Sequence, residues 1–143
     1  MENIRDVKVI WPLENKGKAR AVSVENKTER LTIPKGNYVL IKRFSTKEGK
    51  NRINAGVLLK KWLNAKSISV ENHVNYICKI KGKMTENEAY GLCEILNSRL
   101  YNLYFQISNG STQVDASEIN RIPLPSLDLI TKIGAFAKRV KSE

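Results

Sequence analysis

The stretch Tyr38-Val39-Leu40-Ile41-Lys42-Arg43-Phe44 decides the fold expected of this chain. It is a run of aromatic, β-branched and aliphatic side chains, typical of a β-strand, and it carries two adjacent cations near its end. The segment Asn51–Trp62 is a second strand candidate, and the connection Ser45–Lys50 contains Gly49, which suits a tight turn. Together the two segments predict a basic β-hairpin.

Short strands are also predicted on both sides of this hairpin. Downstream, Asn75–Lys81 alternates and is closed by Gly82, with Ile77 on one face and, on the other, Tyr76, Cys78 and Ile80. Upstream, short apolar groups recur between polar stretches, at Val7, Val9 and Trp11, at Ala21–Val24 and at Leu31–Ile33. We therefore expect the N-terminal part of the chain to consist mostly of antiparallel strands.

Helical signals begin at Thr85, where Thr85-Glu86-Asn87-Glu88 forms a capping box. A second helix, capped at Asn97-Ser98 and stopped by Asn109-Gly110, would carry apolar residues at helical spacing: Leu100, Leu103, Tyr104 and Ile107. Asp115–Arg121 allows one or two turns, and Ser126 can cap a last helix with Leu129, Ile130, Ile133, Phe136 and Ala137. The sequence predicts a single α+β domain over residues 1–143, with strands first and helices after them.

The composition argues against a membrane protein and against a zinc site. No apolar run approaches the roughly 20 residues that span a bilayer, and Met1–Asp6 is too polar to begin a signal peptide. Cys78, Cys93 and His73 are the only cysteines and the only histidine, too few for a recognised zinc site. We expect a cytoplasmic protein with no membrane partner, two reduced core thiols and a structural role for His73.

Charge is the first feature that indicates a partner. The chain has 25 Lys and Arg against 14 Asp and Glu, a formal net charge of +11, which attracts polyanions but can also serve solubility alone. Its distribution favours nucleic acid, and strand-like alternation argues against a basic helix on anionic lipid. The cations crowd one segment opposed only by Glu48: Lys35, Lys42, Arg43, Lys47, Lys50, Arg52, Lys60, Lys61 and Lys66.

Three strings of sequence resemble one family. The loop Asn109-Gly110-Ser111-Thr112-Gln113-Val114, with Asp115–Ile119 and Ile122-Pro123-Leu124-Pro125 after it, resembles the C-terminal specificity region of TaqI-like adenine methyltransferases. Tyr38–Ser45 with Lys47-Glu48, and Glu71–Ile77, resemble the corresponding segments of PstI- and BsuBI-type modification enzymes. The strings span about two-thirds of the chain in the order in which the family has them, so the match is more specific than any one motif.

The resemblance implies the target-recognition domain of an S-adenosylmethionine-dependent adenine methyltransferase in a restriction-modification system, with double-stranded DNA as its partner. The sequence has no Asn/Asp-Pro-Pro-Tyr/Phe motif and no glycine-rich cofactor turn, so we assign no catalytic, cofactor-binding or metal-binding residue within this chain. The resemblance places catalysis and S-adenosylmethionine in a missing catalytic domain of the same parent chain. A cognate restriction endonuclease stays open as a further partner. Gly49 and Asn51 depart from the family pattern, which has an acid and an arginine there.

Candidate DNA-binding residues combine cations for phosphates with polar groups for base edges. Lys47, Lys50 and Arg52 would set the register on phosphates, whereas Lys42 or Arg43 can donate to guanine. Amide side chains offer the paired donor and acceptor that adenine requires, although amides in turns often cap backbone groups instead. The predicted set is Lys42, Arg43, Ser45, Lys47, Lys50, Arg52, Asn72, Asn75, Asn109, Ser111, Thr112 and Gln113.

Two other functions stay open at this point. Glu48-Gly49-Lys50 satisfies the acid-x-Lys element of small Mg²⁺-dependent nucleases, although no aspartate precedes it at the expected distance. A non-enzymatic RNA-binding domain would fit the charge, but the sequence lacks an aromatic RNP-like strand and a Gly-x-x-Gly clamp. A stacking platform for single strands is disfavoured because the tyrosines fall at core spacing: Tyr76, Tyr90, Tyr101 and Tyr104.

Overall fold

The computed structural model describes residues 3–5, 8–10, 29–45, 51–109 and 113–140, with strands in the first half and helices in the second. The strands are β1 Asn3–Arg5, β2 Lys8–Ile10, β3 Thr32–Pro34, β4 Tyr38–Lys42, β5 Ala55–Leu58, β6 Ser67–Ser69 and β7 Val74–Ile77. The helices are α1 Glu86–Asn97, α2 Arg99–Ser108, α3 Ala116–Ile119 and α4 Leu127–Val140. The predicted α+β fold is confirmed. Of the upstream strand predictions, Val7, Trp11 and Ala21–Val24 lie outside the described residues.

The central sheet has the order β5-β4-β7, and both pairings are antiparallel. Tyr38 pairs with Leu58 and Ile41 with Ala55, so the two segments of the predicted hairpin do lie side by side. The second strand is shorter than predicted, because a 3₁₀ turn follows at Lys60–Trp62. The Lys60 amide donates to Asn37 Oδ1 at 2.8 Å, which draws the chain away from the sheet.

Strand β4 is buried on both faces, as its unbroken apolar run requires. Val39 and Ile41 face the main core, which the sheet shares with α1, α2 and α4. Tyr38 and Leu40 face a smaller core, closed by side chains in and around the antiparallel pair β3–β6: Ile33, Leu63, Ile68 and Val70. The central sheet is thus a middle layer between the β3–β6 pair and the helices.

Side-chain amides from the helical half close the free edge of β5. The amide of Asn97 accepts from Ala55 N and donates to Ala55 O, both at 2.9 Å, so it stands where a neighbouring strand would. Asn102 is buried, accepts from Ile53 N at 2.8 Å and donates to the carbonyls of Leu96 and Ser98. The sequence pattern identified Asn97 only as part of a possible helix cap, and it did not single out Asn102.

The predicted helix starts are confirmed. Thr85 and Glu88 form a reciprocal capping box at α1, and Ser98 caps α2 by accepting from Tyr101 N. Asp115 is the N-cap of α3 and forms a capping box with Glu118, within the predicted segment Asp115–Arg121. Leu129 N donates to Ser126 Oγ at 3.4 Å, as expected for the start of α4.

Helices α1 and α4 meet backbone to backbone at two glycines. A Cβ added to Gly91 would overlap the carbonyl oxygen of Ile130, and one added to Gly134 would overlap that of Asn87. Glycine inside a helix costs about 1 kcal/mol relative to alanine. The close approach of the two helices is what requires glycine at both positions.

Several residues expected in the core are exposed. Strand β7 ends at Ile77, so the predicted alternation does not continue, and Cys78 is exposed while Ile80 is 97% exposed. The prediction of a buried Cys78 is therefore wrong, whereas Cys93 is buried as expected. Tyr76 and Tyr104 are also exposed, but the other two tyrosines pack against the core: Tyr90 and Tyr101.

Candidate nucleic-acid interface

Strand β4 ends at Lys42, and the chain beyond it meets two distant segments. Arg43 N donates to His73 O at 2.8 Å, and Val114 N donates to Arg43 O at 2.7 Å. Phe44 forms an isolated antiparallel bridge with Gln113. These contacts bring together seven of the predicted residues, which we call the arginine end of the sheet: Lys42, Arg43, Ser45, Arg52, Asn72, Asn75 and Gln113.

Arg43 is partly exposed, and two long contacts hold its guanidinium. Nη1 donates to Asn72 O at 3.4 Å, and Nη2 lies 3.5 Å from Asp115 Oδ1. Its Nε is buried and has no hydrogen-bond partner in the described part of the chain. Contacts of this length are weak, and a guanidinium has five donors, so the protein leaves much of the donor capacity of Arg43 unused. Sequence reasoning did not identify the Asp115 contact, since 72 residues separate the two side chains.

The side chains of Arg52 and Asn75 make shorter hydrogen bonds within the protein than the side chain of Arg43 does. Arg52 is only 5% exposed, and its Nε donates to Ser45 Oγ at 3.1 Å. The Asn75 amide donates to Val114 O at 2.6 Å. These contacts join the segments that flank Arg43. Their geometry suits structural support of the arginine end more than direct contact with a phosphate or a base.

The aromatic rings of His73 and Phe44 lie against each other near Arg43. His73 Nδ1 lies 2.5 Å from Glu71 Oε1, and the His73 amide donates to the other oxygen of the same carboxylate. The His73 ring lies 5.3 Å from the Phe44 ring, and Arg43 Cζ lies 5.9 Å from the Phe44 centroid. His73 thus makes the structural hydrogen bonds expected of it, and the Phe44 ring is near both His73 and Arg43.

The basic side chains do not form one continuous patch. Among the described residues of the Lys35–Lys66 segment, the cations divide between opposite ends of the β4–β5 pair. Lys42, Arg43 and Arg52 lie at the arginine end, and four lysines lie at the opposite end: Lys35, Lys60, Lys61 and Lys66. At ~3.4 Å per residue, β4 separates the two groups by roughly 17 Å.

Part of the charge at the opposite end is neutralised within the protein. Glu86 Oε2 lies 2.9 Å from Lys61 Nζ and 2.6 Å from Lys138 Nζ. Hydrogen bonds from Lys138 and Lys61 lower the pKa of Glu86, and the bond to Glu86 raises the pKa of Lys138. A cavity of about 280 Å³ lies beside this network, lined by Lys35, Asn37, Lys60, Lys61 and Glu86.

Asn109 is the C-cap of α2, and its backbone amide donates to Phe105 O at 3.0 Å. In the amide orientation that satisfies both partners, its side chain donates to Ser108 O and to Glu118 Oε1. Four other predicted DNA-binding residues lie outside the described residues: Lys47, Lys50, Ser111 and Thr112.

The Glu48-Gly49-Lys50 element also lies outside the described residues. Within residues 3–5, 8–10, 29–45, 51–109 and 113–140, no group of three His, Cys, Asp or Glu side chains could hold a metal ion. None of the helices in this part of the chain has the length and apolar character needed to cross a membrane.

Comparison with known proteins shows that the chain is homologous to type II methyltransferases. It is 39% identical over 119 residues to the type II methyltransferase M.BsuBI of Bacillus subtilis, a match that covers 83% of this chain and 24% of that protein. It is 30% identical over 132 residues to M.PstI of Providencia stuartii, covering 92% of this chain and 26% of the relative. The chain therefore spans about a quarter of the length of these relatives. No family model and no solved structure matches it.

Proposed function

We propose that this chain is the target-recognition part of a type II adenine methyltransferase of a restriction-modification system, and that the arginine end of its sheet reads duplex DNA. The observation that carries the proposal is the placement of Arg43 in a chain related to two type II methyltransferases. Arg43 is partly exposed, loosely held and surrounded by polar side chains.

Arg43 has the chemistry to read a base. A guanidinium can donate two parallel hydrogen bonds to O6 and N7 of guanine in the major groove. Its long contacts to Asn72 O and Asp115 and its unpartnered Nε mean that moving to a guanine edge gains hydrogen bonds. Asp115 keeps the guanidinium near the position from which it reaches DNA.

Residues other than Arg43 position the chain on DNA. Lys42 is exposed beside Arg43 and reaches a phosphate without carrying sequence information. Lys47 and Lys50 add phosphate contacts, while the amides of Asn72, Asn109 and Gln113, and the hydroxyls of Ser111 and Thr112, address bases or sugars. Arg52, Ser45 and Asn75 keep Arg43 in place through the contacts described above.

The methylation chemistry belongs to a part of the enzyme that these 143 residues do not include. The sequence lacks the Asn/Asp-Pro-Pro-Tyr/Phe motif and a glycine-rich cofactor turn, and the relatives are about four times as long as the matched segment. S-adenosylmethionine and the flipped adenine are therefore bound by the catalytic domain, and this chain contributes the choice of sequence.

The test is selection of preferred duplexes from a randomised library by the chain and by two variants. Arg43→Ala is expected to weaken binding to the preferred duplex by about 1–3 kcal/mol and to relax the preference at one base position. Lys42→Ala, the matched control one residue away, is expected to weaken binding to all duplexes alike.

Melting curves of both variants show whether the fold is retained. If Arg43→Ala is folded and keeps the wild-type sequence preference, the assignment of base reading to Arg43 is wrong. Mg²⁺-dependent cleavage of DNA by the chain, lost in Glu48→Ala, would instead favour a nuclease.

A further inference from the structure

The outer side of helix α2 is apolar and exposed. Four residues lie on it at i, i+3, i+4 and i+7, a spacing that places them on one side of a helix. Ile107 is 87% exposed and Leu100 is 72% exposed. We call this set the α2 stripe: Leu100, Leu103, Tyr104 and Ile107.

The α2 stripe lies opposite the side of the helix that packs against the core. Phe105 and Asn102 face the core, about half a turn around the helix from the stripe. Contiguous exposed apolar residues mark contact surfaces. The stripe contains no charged side chain, so a partner can cover it without removing a charge from water.

We propose that the α2 stripe is the surface on which the catalytic part of the methyltransferase docks, an inference that rests on the proposed function. The matched segment is only 24% and 26% of the two relatives, so about three-quarters of each relative lies outside it. Two domains of one chain are expected to move relative to each other unless an apolar interface holds them together, and the stripe offers such an interface.

The position of the stripe favours this occupant over a second copy of the chain. Ile107 lies at the C-terminal end of α2, next to the Asn109 cap, and Gln113 bridges to Phe44 at the arginine end. A catalytic part on the stripe therefore stands beside DNA held at the arginine end. A two-fold contact between stripes would cover the same surface without placing a catalytic domain near that DNA.

Photo-cross-linking tests the proposal in the protein produced from its own gene. Benzoylphenylalanine at position 107 is expected to cross-link to a peptide of a methyltransferase catalytic domain. The Asn/Asp-Pro-Pro-Tyr/Phe motif identifies that domain, which can belong to the same chain or to another one. The same probe at Lys66, which is exposed at the opposite end of the sheet, is the matched control and is expected to give no such product. A product with α2 of a second copy, a product with an unrelated protein, or no product at position 107 overturns the proposal.

DNA binding separates failure of this inference from failure of the proposed function. The double variant Leu100→Ser, Ile107→Ser removes the two most exposed side chains of the stripe and is expected to keep the duplex affinity of the wild-type chain within about twofold. If the probe at position 107 gives no product with the catalytic sequence while the chain binds its duplex normally, docking alone is refuted. Cross-linking to the catalytic sequence by a chain that binds no duplex refutes the proposed DNA recognition alone.

Discussion

The buried amide of Asn102 shows how one side chain joins the two halves of this fold. Its oxygen is the acceptor for Ile53 N, and its nitrogen donates to two carbonyls at the junction of α1 and α2. We expect Asn102→Leu, which keeps the volume, to leave Ile53 N and Leu96 O without the Asn102 side chain as partner and to lower the free energy of unfolding by about 1–3 kcal/mol. Urea unfolding curves give that value.

Asn54→Leu is the matched control, because the Asn54 amide makes only a local, exposed bond to Asn51 O at 3.3 Å. Its effect is expected to stay within about 0.5 kcal/mol. Equal losses in the two variants would mean that burial of the Asn102 contacts contributes nothing to stability.

At the scale of elements, the contact between α1 and α4 depends on the absence of two side chains. Alanine in place of glycine inside a helix is intrinsically stabilising by about 1 kcal/mol. We expect Gly134→Ala to do the opposite, because its Cβ would overlap Asn87 O and force the helices apart, at a cost of about 1–3 kcal/mol. Thermal melting decides the sign. An increase in Tm would show that the helices are not in close contact.

The ion pairs of Glu86 tie α1 both to the 3₁₀ turn after β5 and to α4, and they predict a pH dependence. The pKa of Glu86 is lowered from 4.5 in the folded chain, so its contribution is present above that value and is lost as pH falls through the folded pKa. We expect Glu86→Gln to flatten the fall in stability as the pH drops below 4.5. Urea midpoints measured as a function of pH give the slope.

Asp128→Asn is the control for Glu86→Gln, since both side chains of the Asp128–Lys132 pair on α4 are largely exposed. Exposed pairs contribute little, so this variant is expected to follow the wild-type acid profile closely. An identical flattening in both variants would contradict a special role for the Glu86 network.

The elements themselves could be predicted from the sequence because their signals are local. Strand β4 was readable from its apolar run, and α1 from the Thr85 to Glu88 capping box. Contacts that depend on the packing of distant segments could not be read in this way. Asn97 reaches Ala55 across 42 residues, and Arg43 reaches Asp115 across 72. Helical spacing likewise predicts that the residues of the α2 stripe lie on one side of the helix, but it does not predict which side of the helix packs against the core.

At the scale of the whole molecule, the +11 charge and the two cation clusters at opposite ends of the β4–β5 pair predict how the proposed DNA binding responds to salt. About three to five phosphate contacts correspond to a slope of log Kobs against log salt of roughly −3 to −4.5. Lys42→Ala is expected to reduce this slope by about one unit at most, because Lys42 belongs to the arginine end. Fluorescence anisotropy at several salt concentrations measures the slope.

Lys66→Ala is the matched control at the opposite end of the sheet and is expected to leave the slope unchanged. If Lys66→Ala reduces the salt slope and Lys42→Ala leaves it unchanged, DNA binds at the end of the sheet that carries Lys66. An affinity that does not change with salt would exclude an electrostatic interface altogether.

The unexpected exposure of Cys78 makes this protein convenient for spectroscopy. The chain has two cysteines, and Cys93 is buried with its thiol donating to Ala55 O, so a maleimide dye reacts selectively at Cys78 without any engineered mutation. Cys78 follows β7, whose other end is Val74, next to His73 at the arginine end. Four strand residues at ~3.4 Å each place the thiol roughly 14 Å from the arginine end along the strand. If the chain binds duplex DNA as proposed, energy transfer from this dye to a dye on one DNA end measures the orientation of the duplex on the unmutated chain.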